Sequence, residues 1–105
     1  MLAGSLLRRA EREGGFGAVM ARGDADSGSL LVLLCERGVR KKIVERILQP
    51  NERYEWRDSA LEDVQNDEKA NKFLARRRRF DPDLWILELD IASAERFAAE
   101  MTEAG

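Results

Sequence analysis

The sequence predicts an α+β fold: an N-terminal helix, a strongly bent antiparallel sheet of about five strands, a long helix between strands four and five, and a C-terminal helix. Three observations carry that expectation. The stretch Leu84 to Asp90 puts Trp85, Leu87 and Leu89 on one face of a strand and Leu84, Ile86 and Glu88 on the other, so it belongs in mid-sheet with Trp85 in the core. Clusters of Gly, Asp, Pro and Asn cut the chain between residues 16 and 57 into short extended runs. Helical periodicity with recognisable ends marks three further segments.

Leu2, Leu6 and Ala10 recur at helical spacing, with Arg8, Arg9, Glu11 and Arg12 largely opposite, and Gly14-Gly15 supplies the stop. Phe16 to Arg22 reads as a strand. Gly23 to Gly28 is a dense run of turn formers, and Leu30 to Cys35 is a buried strand beyond it, so the two strands are expected to pair as a hairpin. Arg37-Gly38 makes a second turn. Lys41 to Leu48 fits a third strand, while Ile43, Ile47 and Leu48 also satisfy helical spacing. Pro50 breaks the chain, and Arg53 to Arg57 alternates aromatic and charged side chains as a half-exposed strand does. Ser59 and Glu62 fit a capping box, which predicts a surface helix running to about Arg78. Asp81, Pro82 and Asp83 stop that helix, and Ser93 caps a last one carrying Phe97 and Met101.

A length of 105 residues implies a single domain, 1–105, large enough to bury a core without metals or disulfides. The longest purely apolar run, Leu30 to Cys35, is too short for a bilayer, and the amino terminus places its arginines after a brief apolar stretch, unlike a secretory signal. With Cys35 as the lone cysteine, the expected location is the cytoplasm and no membrane partner is expected. Absence of histidine removes serine–histidine and cysteine–histidine nucleophilic sites and histidine-ligated zinc. A net charge of −2 means that attraction to nucleic acid has to be local.

The sharpest local charge is Arg76, Arg77, Arg78 and Arg79, whose bland reading is a helix end that complements the helix dipole. Consecutive helical residues radiate, so at most two can address one ligand. Read functionally, the run is a nucleic-acid-binding patch assisted by Arg40, Lys41 and Lys42, with Tyr54 and Trp56 as core residues or stacking platforms. Asp24, Asp26 and Gly28 open like a calcium loop, but Ser29 and Cys35 stand where glycine and glutamate are required, which leaves a structural turn. Asp83, Glu88 and Asp90 resemble a metal-dependent nuclease pattern in which Asp90 replaces the lysine. No catalytic residue, metal or cofactor is therefore assigned. Leu30 to Cys35 serves as a central strand or an interface between protomers, and Cys35 within it is expected to be inert.

Three stretches resemble a family of short alphaproteobacterial proteins, domain-of-unknown-function family 1491: Leu6 to Phe16, Arg22 to Gly28 and Arg79 to Glu88. The last, Arg-Phe-Asp-Pro-Asp-Leu-Trp-Ile-Leu-Glu, is the most specific. That family implies no catalytic residue. A short helix followed by five strands is also similar in topology to the Sm-like small barrel, which forms rings and binds RNA. The expected function is a non-enzymatic binding module engaging RNA, with a protein-interaction adaptor as the alternative and a nuclease third. A homo-oligomer is a further expectation.

Overall fold

The computed structural model describes residues 2–26 and 29–104, so the Gly28 end of the predicted turn lies outside the described residues. Among them the chain forms α1 (Leu2–Arg12), β1 (Phe16–Ala21), β2 (Leu30–Glu36), β3 (Val39–Leu48), β4 (Tyr54–Asp58), α2 (Asp67–Phe80), β5 (Trp85–Asp90) and α3 (Ala94–Ala104). The α+β class and the helix between the fourth and fifth strands are as expected. Strand, not helix, is the state of the ambiguous third segment.

The sheet is mixed and open, which corrects the expected antiparallel, barrel-like arrangement. Its order is β1-β5-β2-β3-β4. β1 and β2 do not form a hairpin, because β5 lies between them, antiparallel to β1 and parallel to β2. The physical reason is visible in the apolar strands. β2 and β5 are apolar on both faces and need a neighbour on either side, and the connection through α2 returns the chain in the direction of β2. β1 and β4 remain as edges, so no barrel closes.

Helices cover both faces. On one side Trp85, Leu87 and Leu89 join Leu30, Val32, Leu34 and Val44 against Leu6 of α1 and Phe97 and Met101 of α3. On the other, Leu84 and Ile86 join Leu31, Leu33 and Ile43 against Leu74 of α2. Trp85 is 3% exposed, and its indole Nε1 donates to the Asp24 carbonyl at 2.8 Å. α2 is therefore more than a surface helix, since Ala70 and Leu74 seal the second core.

Local signals fix most ends. Gly14 has φ +87, and the Gly15 amide donates to the Ala10 carbonyl at 2.9 Å, closing α1. Arg37 and Gly38 both have positive φ, 52 and 80, as a tight hairpin turn requires. The Arg96 amide donates to Ser93 Oγ at 3.2 Å, so Ser93 caps α3. The capping box at Ser59 is not used. Asn66 caps α2, accepting from the Lys69 amide at 3.0 Å, while the Ser59 amide donates to the Ile43 carbonyl at 2.9 Å. That bond holds Ser59 beside β3 and delays the helix.

Candidate functional site

The arginine run occupies the last turn of α2, where its four side chains fan apart. Arg77 turns inward to Glu45 of β3, the one buried charged residue among those described, 3% exposed. Arg57 Nε of β4 donates to the same carboxylate at 2.9 Å, so one buried anion is held from two elements. Arg78 donates to the Leu84 carbonyl at the entry to β5. Arg76 and Arg79 remain exposed, and beside them Phe80 is 80% exposed, the most open of the large apolar side chains described. The run thus divides into two structural arginines and two outward ones.

Arg40, Lys41 and Lys42 do not extend this patch. Register along β2 and β3 shifts between Leu34↔Lys42 and Cys35↔Arg40, which makes Lys41 the extra residue of a bulge. Without the bulge Arg40 and Lys42 would share a face; with it they oppose one another. Arg40 reaches Asp67 of α2 at 3.5 Å, and Lys42 reaches Asp58 and Glu95 at 3.2 and 3.6 Å on the α3 side. Lys41 alone is exposed. Arg40 meets the first residue of α2 and the arginines occupy its end, about 20 Å away along a helix of this length.

Tyr54 and Trp56 are half-buried on the face away from α2. Trp56 packs on the α1/α3 core, and the Arg46 guanidinium lies 4.2 Å from the Tyr54 ring centroid. They cannot stack a strand held by α2. The acids are dispersed too. Asp90 accepts from the Arg37 and Gly38 amides at 3.0 and 2.7 Å, which binds the β2–β3 turn to β5. Glu88 accepts from Cys35 Sγ at 3.5 Å. Burial first, and then the Glu88 carboxylate, push the Cys35 thiol up to about 12. Asp83 stands at the opposite end of β5 from Asp90, roughly 20 Å off. Among the described residues no group of three or more acidic or thiol side chains could hold a metal ion.

The expected turns are in place where they are described. Asp24 accepts from the Asp26 amide at 2.9 Å, and Asp81 accepts from the Asp83 amide at 3.2 Å across Pro82. Residues that sequence reasoning missed are Glu45 and Phe80. Glu45 sits between Val44 and Arg46 with nothing local to mark its burial, whereas Phe80, directly before Asp81-Pro82, could have been read as a residue left over after the helical stripe ends.

No described helix is long and apolar enough to cross a membrane. No curated protein matches the chain. Solved structures do. A crystal structure of a DUF1491 family protein from Caulobacter crescentus CB15 is 25% identical, covers 91% of this chain and 89% of its own, and superposes with a TM-score of 0.74. The solution structure of protein Atu0922 from A. tumefaciens is 28% identical over 90% of this chain and 85% of its own, with a TM-score of 0.66. An NMR structure of a DUF1491 family protein from C. crescentus CB15 is 27% identical over 90% and 84%, with a TM-score of 0.68. The family described as "Protein of unknown function (DUF1491)" matches residues 1–99, and the chain, with its open mixed sheet between two helical layers, belongs to that family.

Proposed function

We propose that the protein is a non-enzymatic, cytoplasmic interaction module that presents the end of α2 to an acidic, partly apolar surface on another protein. One observation carries the reading: Phe80, 80% exposed, is flanked by Arg76 and Arg79, the two arginines of the run that stay exposed. Arginine and aromatic side chains are the groups that concentrate binding energy at protein interfaces. An exposed phenyl ring gains most where it enters a dry pocket, and the guanidiniums beside it select for carboxylates around that pocket.

The RNA reading is weaker because its cations are already engaged. Arg77, Arg78, Arg40 and Lys42 hold the fold together, the aromatics lie on the other face, and Asp81 and Asp83 follow the run directly. A phosphate backbone needs several free cations in line. The test is selection of displayed peptides on the immobilised protein, followed by calorimetric titration of the peptides recovered. Acidic peptides with an apolar anchor are expected, and both Phe80→Ala and the Arg76→Glu/Arg79→Glu double variant are expected to weaken them at least about tenfold, or 1.4 kcal/mol. Peptides indifferent to both variants would sink the proposal. Salt-sensitive anisotropy of short single-stranded RNA that the double variant abolishes would restore nucleic acid as the ligand.

A further inference from the structure

We propose that β1 is a self-pairing edge, through which two copies of the chain join antiparallel about a two-fold axis perpendicular to the sheet, each seating its Phe16 in a groove on the other. This stands apart from the function proposed for α2.

The two outer strands of the sheet are unlike. Each leaves a row of backbone N–H and C=O groups directed away from its neighbour. β4 reads Tyr-Glu-Trp-Arg-Asp and carries the charges that guard an edge, whereas β1 reads Phe-Gly-Ala-Val-Met-Ala and carries none. Phe16 is 66% exposed, and Val19 and Met20 are exposed beside it. α2 stops short of covering β1, and between them runs a groove of about 270 Å³ lined by Met20, Ala21, Leu74, Ala75 and Ile86, with Arg78.

Register decides the fit. Phe16 and Ala18 pair with Asp90 and Glu88 of β5 and so face the α2 side, while Gly17 and Val19 pair with Leu89 and Leu87 and face the α1 side. Strands that pair must match like faces. Centring an antiparallel pairing on Ala18 does this: Gly17 falls opposite Val19 of the other copy, small against large, and Phe16 falls opposite Met20, the extra residue of a bulge between Val19 and Ala21, which lines the mouth of the groove on the α2 side. Each copy then supplies both the aromatic knob and the groove that receives it, and no like charges are set opposite one another. A foreign strand would answer only one of these two features. The occupant is therefore a second copy of this chain.

A seam of 6 residues per copy is about 20 Å long. A seam this short, anchored by one aromatic side chain per copy, makes a small interface, so the dimer is expected to dissociate in the micromolar range or more weakly. Sedimentation equilibrium of the full chain from low to high micromolar concentration is expected to show a monomer–dimer equilibrium. Phe16→Glu changes an exposed residue, so it is expected to keep the melting temperature while raising the dissociation constant at least about tenfold. Ala18→Cys, on the axis, is expected to form an interchain disulfide with oxidised glutathione far faster than Glu55→Cys on β4. A monomer at every concentration overturns the proposal, as does a dimer that either withstands Phe16→Glu or cross-links no faster at Ala18→Cys than at Glu55→Cys.

Discussion

Cys35 shows how one buried side chain makes stability depend on pH. Its thiol lies in the apolar interior of β2, with the Glu88 carboxylate as its neighbour, and both oppose formation of a thiolate. Because the folded thiol titrates near 12 against an ordinary 9.0, its contribution to stability is complete below 9 and is lost as pH rises from there towards 12. Urea unfolding of the wild type is accordingly expected to weaken between pH 8.5 and 10.5 more steeply than that of Cys35→Ala, by about 1.4 kcal/mol per pH unit once above the unfolded-state value. The same burial is expected to keep Cys35 unreactive to an aromatic disulfide reagent at pH 8 until the chain unfolds. Equal pH slopes for the two proteins would remove the thiol from the account. At this scale the sequence was informative about Trp85 and Cys35, whose apolar neighbours announce their burial. It was silent about Glu45, because a carboxylate becomes a core residue only when arginines from β4 and α2 arrive to meet it.

Helix α2 shows where local signals stop being sufficient. Ser59 with Glu62, and Asn66 three residues before Lys69, are both good starts for a helix, and nothing within the segment ranks them. A contact distant in sequence does so, since the Ser59 amide is taken by the Ile43 carbonyl of β3. Asn66→Ala is therefore expected to cost about 1 kcal/mol in thermal or chemical melts, whereas removing the Ser59 hydroxyl by Ser59→Ala is expected to leave the helix content unchanged. The reverse pattern would move the start of the helix back to Ser59. Pairing of β1 was hidden for a similar reason. The run of turn formers from Gly23 onward shows that the chain bends, but a bend does not state which strand comes alongside, and here the neighbour is β5, which lies far along the chain.

Across the whole molecule, the sheet separates two unequal cores. One is closed by α1 and α3, which are themselves linked through Arg9 to Phe97 and Glu100 and through Arg96 to Glu13. The other is closed by α2, whose buried residues are Ala70 and Leu74, with Leu61 and Val64 of the preceding segment packed beside it. Native-state hydrogen exchange is expected to reflect this, with β2 and β5 amides exchanging only on global unfolding and α2 amides opening at lower free energy. Uniform protection of α2 and β2 would show instead that the two layers open together. The α+β class was legible because periodicity and turn chemistry are local properties; the strand order and the division of the basic residues were not, because both depend on the path of the chain between elements. The bulge at Lys41 is the clearest case. It acts as a phase shifter in β3: one inserted residue takes Arg40 and Lys42, which a regular strand would aim the same way, and turns them into two tethers on opposite faces, one tied to each helical layer. Deleting that residue would keep both tethering cations and yet detach one layer from its anchor.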